Sequence, residues 1–454
     1  MNTDEIATKN MKIKRLQVQN FRGIRDLTLD LDGDSPIVFL GGNGSGKTTL
    51  LKSIARFAAN LFLNFTGEPE RYGILSKYFK LKPNIDISCG CDQASNSVEF
   101  DFASIGFSDL QITSSYKINS DKPYLLPLES EEIIEKSTSY RDWILSILEK
   151  NSTTSLPICA YYPISRAVET LTLDSSDSLE EDQNEANESN YLLYPQLLIY
   201  REELVSRQDF PRFFKWFKVK EDLENEHRLN RDNEYRDRQL QGVREAITSI
   251  IPEFTNLRIK RSPLDMVVLK NDQELSFESL SDGEKCFLAM VGDIARRLAI
   301  ANPNVNKNPL HGHGLILIDE IELHLHPEWQ RRVIPSLVKT FPNCQFIFTT
   351  HSPQVLGEVQ GRVYRLRRTE AGIIAELRQT YGKDSNRILE DDMESTERDP
   401  HIQEKILQLF RYIDAGDLEA ARSLKQSIQE EIKFEDPSFV TADVLIHRKE
   451  LLGR

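Results

Sequence analysis

Apolar and polar residues alternate along residues 12–31, on both sides of Asn20–Gly23. A period of two is typical of β-strands, so this pattern predicts a hairpin that turns at Asn20–Gly23. Ile37–Leu40 is apolar throughout and predicts a buried strand. A glycine-rich loop follows, and the pattern after it predicts a helix from Thr48 to about Phe65.

Strands and helices continue to alternate along the rest of the chain. Opposite charges spaced three and four apart predict helix in much of residues 191–250. A further helix is expected from Ser281, and amphipathic helices over residues 400–454. The remaining strands are expected at Ile85–Ser88, Val98–Phe102, Pro157–Arg166, Leu257–Arg261, Met266–Leu269, Leu315–Ile318 and Gln345–Phe348. This alternation favours an α/β fold.

Composition narrows the class of protein. The 454 residues are 39% hydrophobic and 28% charged, which is ordinary for a globular protein. There is no apolar leader at the N-terminus and no run of about 20 apolar residues, so we expect a cytoplasmic protein that does not span a membrane. The net charge of −14 disfavours a surface that is basic all over. The five cysteines are scattered, which favours reduced thiols.

The strongest chemical signal is the segment Gly41–Thr48 (GGNGSGKT), which fits the phosphate-loop pattern between a strand and a helix. Its backbone N–H groups would converge on nucleotide phosphates, with Lys47 as a point charge. We therefore expect ATP to bind there, with the Thr48 hydroxyl as a ligand of Mg²⁺. The predicted ATP-binding residues of this segment are Asn43, Gly44, Ser45, Gly46, Lys47, Thr48 and Thr49.

Two later strands end in polar residues that suit ATP hydrolysis. Leu315–Ile318 runs into Asp319, a predicted second ligand of Mg²⁺, and Glu320, a predicted general base for the attacking water. The strand at Gln345–Phe348 runs towards His351, which would donate to the γ-phosphate. His351 alone would more often be a polar residue satisfied at a strand end.

A third motif lies between these segments. Leu280–Lys285 (LSDGEK) precedes a predicted helix, where Ser281 would be the N-cap. Ser281, Gly283 and Glu284 are predicted to contact ATP, because a helix N-terminus with free N–H groups attracts anions.

The order of these motifs resembles that of the ABC ATPase superfamily. The resemblance implies an ABC-type ATPase head, with a mixed sheet around a phosphate-loop core. It also implies that the signature at Ser281 contacts the γ-phosphate of another copy, and hence a head-to-tail dimer or higher oligomer. Asp282 and Glu284 differ from the transporter pattern, and His326 replaces the usual D-loop aspartate. No Q-loop glutamine is assigned.

The opening segment with Asn20–Arg22 (NFR) resembles the RecF, Rad50 and OLD branch, which implies that Arg22 lies near the nucleotide. Asp319–Arg331 and Thr349–Leu356 look like the OLD group. Nearly the whole chain is similar to the PtuA family, the ATPase subunits of Septu anti-phage systems. The blocks that carry this likeness include Tyr161–Arg166 and Leu280–Pro303.

That resemblance implies a partner, the HNH nuclease PtuB, with DNA reached through the complex. Glu390–Asp392 is interpreted as a solvated helix cap, so no nuclease activity is expected from the chain itself. The predicted domains are an N-terminal ATPase lobe (11–170), an acidic loop (171–190), a charged helical insertion (191–250), a C-terminal ATPase lobe (251–385) and a helical C-terminal extension (386–454).

Other hypotheses remain open from the sequence. The chain would alternatively be a RecF-like repair ATPase that binds DNA directly, or a nucleotide sensor with little turnover. A zinc site at the histidines of His311–His326 is disfavoured by their spacing. The doublets Arg296–Arg297 and Arg331–Arg332 are interpreted as solvated helix faces. The helices at Ile402–Ile413 and Leu418–Ile432 would dock a partner or pack on the chain's own core.

Overall fold

The structure is a computed structural model. It describes residues 11–33, 35–62, 65, 79, 82–102, 107, 109–117, 131–166, 194–201, 204, 209–304, 307–393, 399–433 and 436–452. The acidic segment 171–190 lies outside these residues. The chain divides into two compact units, Met1–Lys383 and Asp384–Arg454.

The described strands are β1 (Lys12–Phe21), β2 (Ile24–Asp30), β3 (Ile37–Leu40), β4 (Gln93–Asp101), β5 (Leu110–Lys117), β6 (Ile158–Tyr162), β7 (Phe254–Arg261), β8 (Leu264–Lys270), β9 (Gln273–Ser276), β10 (Gly314–Ile318), β11 (Cys344–Thr350), β12 (Arg362–Thr369) and β13 (Gly372–Arg378). The described α-helices are α1 (Lys47–Phe62), α2 (Pro83–Asp86), α3 (Glu131–Lys150), α4 (Leu198–Arg201), α5 (Asp209–Asn230), α6 (Arg238–Ile250), α7 (Asp282–Ala301), α8 (Pro327–Thr340), α9 (Pro353–Leu356), α10 (Ser385–Asp391), α11 (Pro400–Ala415), α12 (Leu418–Ile432) and α13 (Pro437–Leu452).

The first sheet is antiparallel, in the order β2-β1-β4-β5. β1 and β2 pair as the predicted hairpin, with Leu16 opposite Leu29. Burial follows a period of two at Leu16 and Val18 and at Leu27 and Leu29, as predicted, and is interrupted between Ile13 and Arg15, where the pairing with β4 shifts register. The strand expected at Ile85–Ser88 is wrong, because the short helix α2 occupies Pro83–Asp86.

The central sheet has the order β13-β12-β3-β11-β10-β6. Its strands from β12 to β6 run parallel, and β13 is an antiparallel edge. β3, β6, β10 and β11 are buried at every position, as expected for strands covered on both faces. Because these strands are parallel, the polar residues after them meet at the same edge of the sheet.

A third sheet, β7-β8-β9, precedes helix α7. α7 is buried along most of its length, and Asp293 in its middle is fully buried. Asp293 accepts from Arg296 at 2.7 Å and from Arg297 at 2.8 Å. The prediction that Arg296–Arg297 forms a solvated face is therefore wrong. The two guanidinium groups lower the pKa of the Asp293 carboxyl, although burial alone would raise it.

The charged segment before α7 is helical, as expected from its charge spacing. α5 and α6 are joined by ion pairs from Arg244 to Glu221 at 3.0 Å and to Glu224 at 2.9 Å. Both carboxylates are buried, so these ion pairs hold α5 and α6 together and do not lie on a solvent-exposed surface.

In the second compact unit, α11, α12 and α13 share a hydrophobic core that includes Leu409, Ile413, Ile428 and Ala442. The alternative that α11 and α12 pack on the chain's own residues is thus confirmed for their buried faces. Asp392, part of the acidic cluster interpreted as solvated, is 2% exposed, so that interpretation is wrong for this residue. Among the described residues, no helix is long and apolar enough to cross a membrane.

Candidate nucleotide site

The phosphate loop joins β3 to α1 at the carboxyl edge of the central sheet. Its glycines are required sterically at two points. A β-carbon on Gly41 would lie 2.5 Å from the carbonyl oxygen of Leu366, and Gly46 has a φ of +98°. These positions allow the chain to turn sharply from strand into helix.

Lys47 is 6% exposed and folds back onto the loop. Its Nζ donates to the carbonyl oxygens of Gly41 at 2.7 Å and Gly42 at 3.2 Å. Burial lowers the pKa of the Lys47 ammonium to about 8, although nearby carboxylates, chiefly that of Glu320, oppose the shift. In the described part of the chain, the Lys47 ammonium donates to neutral carbonyl oxygens. These are weaker acceptors for a cation than charged phosphate oxygens.

The other predicted residues of the loop differ in exposure. Asn43 and Gly44 are exposed, whereas Ser45 is buried and its hydroxyl lacks a hydrogen-bond partner. Thr48 and Thr49 lie half-buried in the first turn of α1.

Asp319 follows β10 and is 1% exposed. Its Oδ1 accepts from the hydroxyls of Thr48 at 3.2 Å and Thr349 at 2.5 Å. Its Oδ2 is buried and has no hydrogen-bond partner among the residues that the structure describes. A buried carboxylate oxygen without a donor, beside a threonine hydroxyl, suits the oxygen ligands that Mg²⁺ prefers. The residues present therefore fit a magnesium ion.

Glu320 and His351 lie side by side, with Glu320 Oε1 3.9 Å from His351 Nε2. Burial, together with the charge of Lys47, lowers the pKa of the His351 ring, against the opposing effect of the carboxylates. At neutral pH the ring is therefore neutral and has one N–H to donate. Both side chains are 27–30% exposed, which leaves a face open to water or a phosphate.

Sequence reasoning missed a third carboxylate at this place. The backbone N–H of His351 donates to Glu322 Oε1 at 2.5 Å, and Glu322 Oε2 is buried with no hydrogen-bond partner in the described ranges. Glu322 is two residues after Glu320, so the signal was present in the sequence. Arg166 and Thr349 lie in blocks that carry the family resemblance, but their roles were missed, because both bind the backbone of the Asp319–Glu320 turn.

The signature residues form the N-terminus of α7. Ser281 caps the helix, and its N–H and hydroxyl both donate to Glu284 Oε2 at 2.9 Å. Lys270 donates to the other oxygen of Glu284 at 2.5 Å. These hydrogen bonds lower the pKa of the Glu284 carboxyl and outweigh its burial, which alone would raise that pKa.

Ser281 and Asp282 are exposed, so the start of α7 is open to solvent. In the described part of the chain, no hydrogen bond joins Ser281 or Glu284 to Lys47 or Thr48.

Arg22, which was predicted to contact ATP, forms an ion pair with a carboxylate in this structure. Its Nε donates to Asp86 Oδ1 at 2.6 Å, and the guanidinium lies 5.3 Å from the centre of the Phe21 ring. The structure thus brings together Lys47, Thr48, Asp319, Glu320 and His351, and it pairs Arg22, in the turn between β1 and β2, with Asp86 of α2.

Comparison with known proteins identifies the family of this chain. The family described as "AAA domain, putative AbiEii toxin, Type IV TA system" matches residues 37–357, from β3 through the phosphate loop and past His351. The chain belongs to this family. This is an ATPase family, and the fold around the matched residues is the mixed α/β fold described above.

Individual relatives cover most of the chain. It is 30% identical over 397 residues to the "Retron Vc95 probable ATPase" of Vibrio cholerae serotype O1 biovar El Tor, covering 78% of this chain and 73% of the relative. It is 27% identical over 510 residues to the "Retron Ec83 probable ATPase" of Escherichia coli, covering 99% and 89%.

The predicted resemblance to PtuA is confirmed. The chain is 26% identical over 376 residues to the Septu protein PtuA of Bacillus mycoides (strain KBAB4), covering 78% of this chain and 40% of that protein. The likeness to retron ATPases was not foreseen from the sequence.

Proposed function

We propose that this chain is the ATP-hydrolysing subunit of an anti-phage defence complex, and that it controls an associated HNH nuclease. The observation that carries the ATPase part is the buried Oδ2 of Asp319, which has no hydrogen-bond donor among the described residues, while Oδ1 of the same carboxylate accepts from Thr48. Because a Mg²⁺ ligand needs a free oxygen, this atom beside the Thr48 hydroxyl suits a metal site.

The reaction assigns a separate role to each residue. The N–H groups of residues 42–47 and Lys47 hold the phosphates, while Thr48 and Asp319 hold Mg²⁺. When bound, the ion would supply charge neutralisation on the phosphate oxygens. Glu320 takes the proton of the attacking water, and neutral His351 donates its N–H to the γ-phosphate.

Pairing of two copies completes the site in this proposal. The exposed N-terminus of α7 presents Ser281 to the γ-phosphate that the phosphate loop of another copy holds. The N–H groups and dipole of a 20-residue helix favour an anion at this end. Arrival of the phosphate would compete with Glu284 for the Ser281 hydroxyl.

Phosphate release by the purified chain tests the ATPase step. We expect Glu320→Gln to remove most turnover while ATP still binds, because the general base is lost and the phosphate contacts remain. Equal rates in the two proteins would exclude Glu320 as the base and favour a sensor that binds ATP with incidental hydrolysis.

Control of a nuclease rests on the similarity to PtuA, and co-expression tests it. We expect DNA cutting only when an HNH nuclease encoded beside the chain is present, and we expect Lys47→Ala to change its dependence on ATP. DNA cutting by the ATPase alone would contradict the division of roles. Steeply salt-dependent DNA binding by the ATPase alone would favour the repair hypothesis.

The retron ATPases support a second candidate. Because the chain is 30% and 27% identical to two of them, it would alternatively serve a retron system. Purification of the tagged chain from its own host, with identification of the proteins and nucleic acids that remain bound, separates the two candidates.

A further inference from the structure

Arg166 is a buried cation that donates to main-chain atoms at the catalytic turn. It follows β6, the strand beside β10, and is 8% exposed. Its Nη1 donates to the carbonyl oxygen of Asp319 at 2.5 Å, and its Nη2 donates to that of Glu320 at 2.6 Å. The planar guanidinium thus spans the two consecutive carbonyls behind the carboxylates of the site.

The turn that Arg166 holds has an unfavourable backbone conformation. Glu320 has a φ of +48°, a region that residues with a β-carbon seldom adopt. The Glu320 N–H donates to Thr349 Oγ1 at 2.7 Å, so Glu320 is held from its N–H and from its carbonyl. Strained backbone persists only where its surroundings fix it, and such residues cluster at active sites.

The conformation of Glu320 decides where its carboxylate lies. In the left-handed conformation the carboxylate is 3.9 Å from His351 Nε2. Without the hydrogen bond from Arg166 to its carbonyl, Glu320 would relax towards a negative φ. The Cα–Cβ bond would then point in another direction and carry the carboxylate away from His351. A general base must lie within hydrogen-bond reach of the water, so this displacement would lower the rate of the chemical step.

Arg166 also contacts the signature helix. The Sγ of Cys286, in the second turn of α7, lies 3.7 Å from the Arg166 carbonyl oxygen. Nearby, the Tyr162 hydroxyl donates to the buried Asp293 of α7 at 2.8 Å. The segment from Tyr162 to Arg166 therefore joins the signature helix to the Asp319–Glu320 turn.

We propose that Arg166 is a positioning residue for ATP hydrolysis, which holds Glu320 in its left-handed conformation and links that turn to the signature helix. This inference rests on the proposed ATPase function. The guanidinium of Arg166 binds main-chain carbonyls instead of reacting groups. It acts through Glu320, so its removal should affect turnover and leave ATP binding intact.

The test compares steady-state ATP hydrolysis and ATP binding in Arg166→Gln. We expect kcat to fall at least tenfold, while KM and the dissociation constant for Mg-ATP stay within about twofold. In a Glu320→Gln background, single-turnover measurements should show no further loss on adding Arg166→Gln, because both changes disable the same step.

Arg238 offers a matched control. Arg238 also donates to two backbone carbonyls, those of Asn302 and Lys307. These carbonyls precede the amino end of β10, whereas the Asp319–Glu320 turn follows its carboxyl end. Arg238→Gln should keep the wild-type kcat. If Arg166→Gln does not fold, Arg166→Lys retains the charge but not the two-pronged geometry, and it should show the same selective loss of kcat to a smaller degree.

Each outcome bears on a different claim. Inactive wild-type chain would defeat the proposed function itself. Active wild type, inactive Glu320→Gln and fully active Arg166 variants would overturn the positioning role alone. Losses in the double variant that multiply, or an equal loss of kcat and ATP affinity, would also overturn it.

Discussion

The carbonyl oxygen of His324 lies 2.1 Å from the point where a β-carbon on Gly283 would be. The signature glycine thus lets the start of α7 pack directly on the loop that follows Asp319 and Glu320. This contact lies within one chain, whereas the sequence motif suggested only a role in binding phosphate. Gly283 therefore has a packing function whether or not a nucleotide contacts it.

Gly283→Ala should push α7 and the His324 loop apart, because backbone atoms cannot swing aside as a flexible side chain does. We expect a loss of about 1–3 kcal/mol in stability, as is typical of overpacking. ATP hydrolysis should fall as well, since the same loop carries Glu320. Thermal unfolding and phosphate release measure the two effects.

The neighbouring variant Asp282→Ala provides the control, because Asp282 is exposed in the same helical turn. Removal of the Asp282 carboxylate should lower the free energy of unfolding by less than about 1 kcal/mol, through its lost interaction with the helix dipole. A Gly283→Ala protein as stable and active as wild type would show that the loop gives way freely.

Mixing two inactive variants tests whether the site is shared between copies. Lys47→Ala lacks the phosphate loop cation, and Ser281→Arg blocks the signature. In a mixed symmetric dimer, one of the two sites combines an intact Lys47 with an intact Ser281. Random pairing at equal concentrations should restore about a quarter of the wild-type rate of phosphate release.

Neither variant alone should hydrolyse ATP. No recovery on mixing, with dimers demonstrated by light scattering, would indicate that Lys47 and Ser281 do not combine across copies.

Asp319→Asn tests the assignment of the magnesium ligand. The buried Oδ2 has no donor, so an amide there should relieve an unfavourable group and raise stability without nucleotide by up to about 2 kcal/mol. Affinity for Mg²⁺ in the presence of ATP should fall by at least about 10- to 100-fold, as seen for residues that support metal sites. Thermal unfolding with and without Mg-ATP measures both effects.

Asp272→Asn serves as the control, because Asp272 is exposed in a turn at a φ of +62° that asparagine also tolerates. It should change neither property. If Asp319→Asn kept its thermal shift with Mg-ATP, Asp319 would not be a ligand.

The burial of His313 predicts how the stability of the folded chain depends on pH. The residue is 8% exposed, and its Nδ1 is buried with no hydrogen-bond partner among the described residues. Burial lowers the pKa of His313 from 6.5, aided by the charges of Lys307 and Lys12 and opposed by a hydrogen bond with the Asn343 backbone. On acidification the unfolded chain binds the proton first, at about pH 6.5, so stability falls as pH drops from there towards the folded pKa.

His313→Asn should weaken this part of the acid sensitivity, measured as the drop in unfolding temperature between pH 7.5 and 5.5. His311→Asn, at an exposed position two residues earlier, should leave it unchanged. An identical drop in His313→Asn and wild type would show that His313 does not titrate differently on folding.

Local patterns predicted the hairpin of β1 and β2, the buried strands β3, β10 and β11, and the start of α7 at Ser281, because these depend on periodicity, capping and glycine spacing. The same reasoning failed for Arg296–Arg297. A doublet of arginines on a helix usually faces water, and nothing nearby in the sequence indicates that Asp293 is buried between them. Burial of charge depends on the elements packed around the helix.

The sequence by itself was enough to predict the chemistry of the candidate site, since the residue types and order of Lys47, Asp319 and Glu320 favour phosphate and magnesium. Only the tertiary structure decided how these groups are supported. Arg166, Thr349 and Glu322 act through main-chain atoms that parallel strands bring together from distant parts of the chain. Contacts to backbone carbonyls and N–H groups leave no pattern of residue types along the chain, because every residue offers the same backbone atoms.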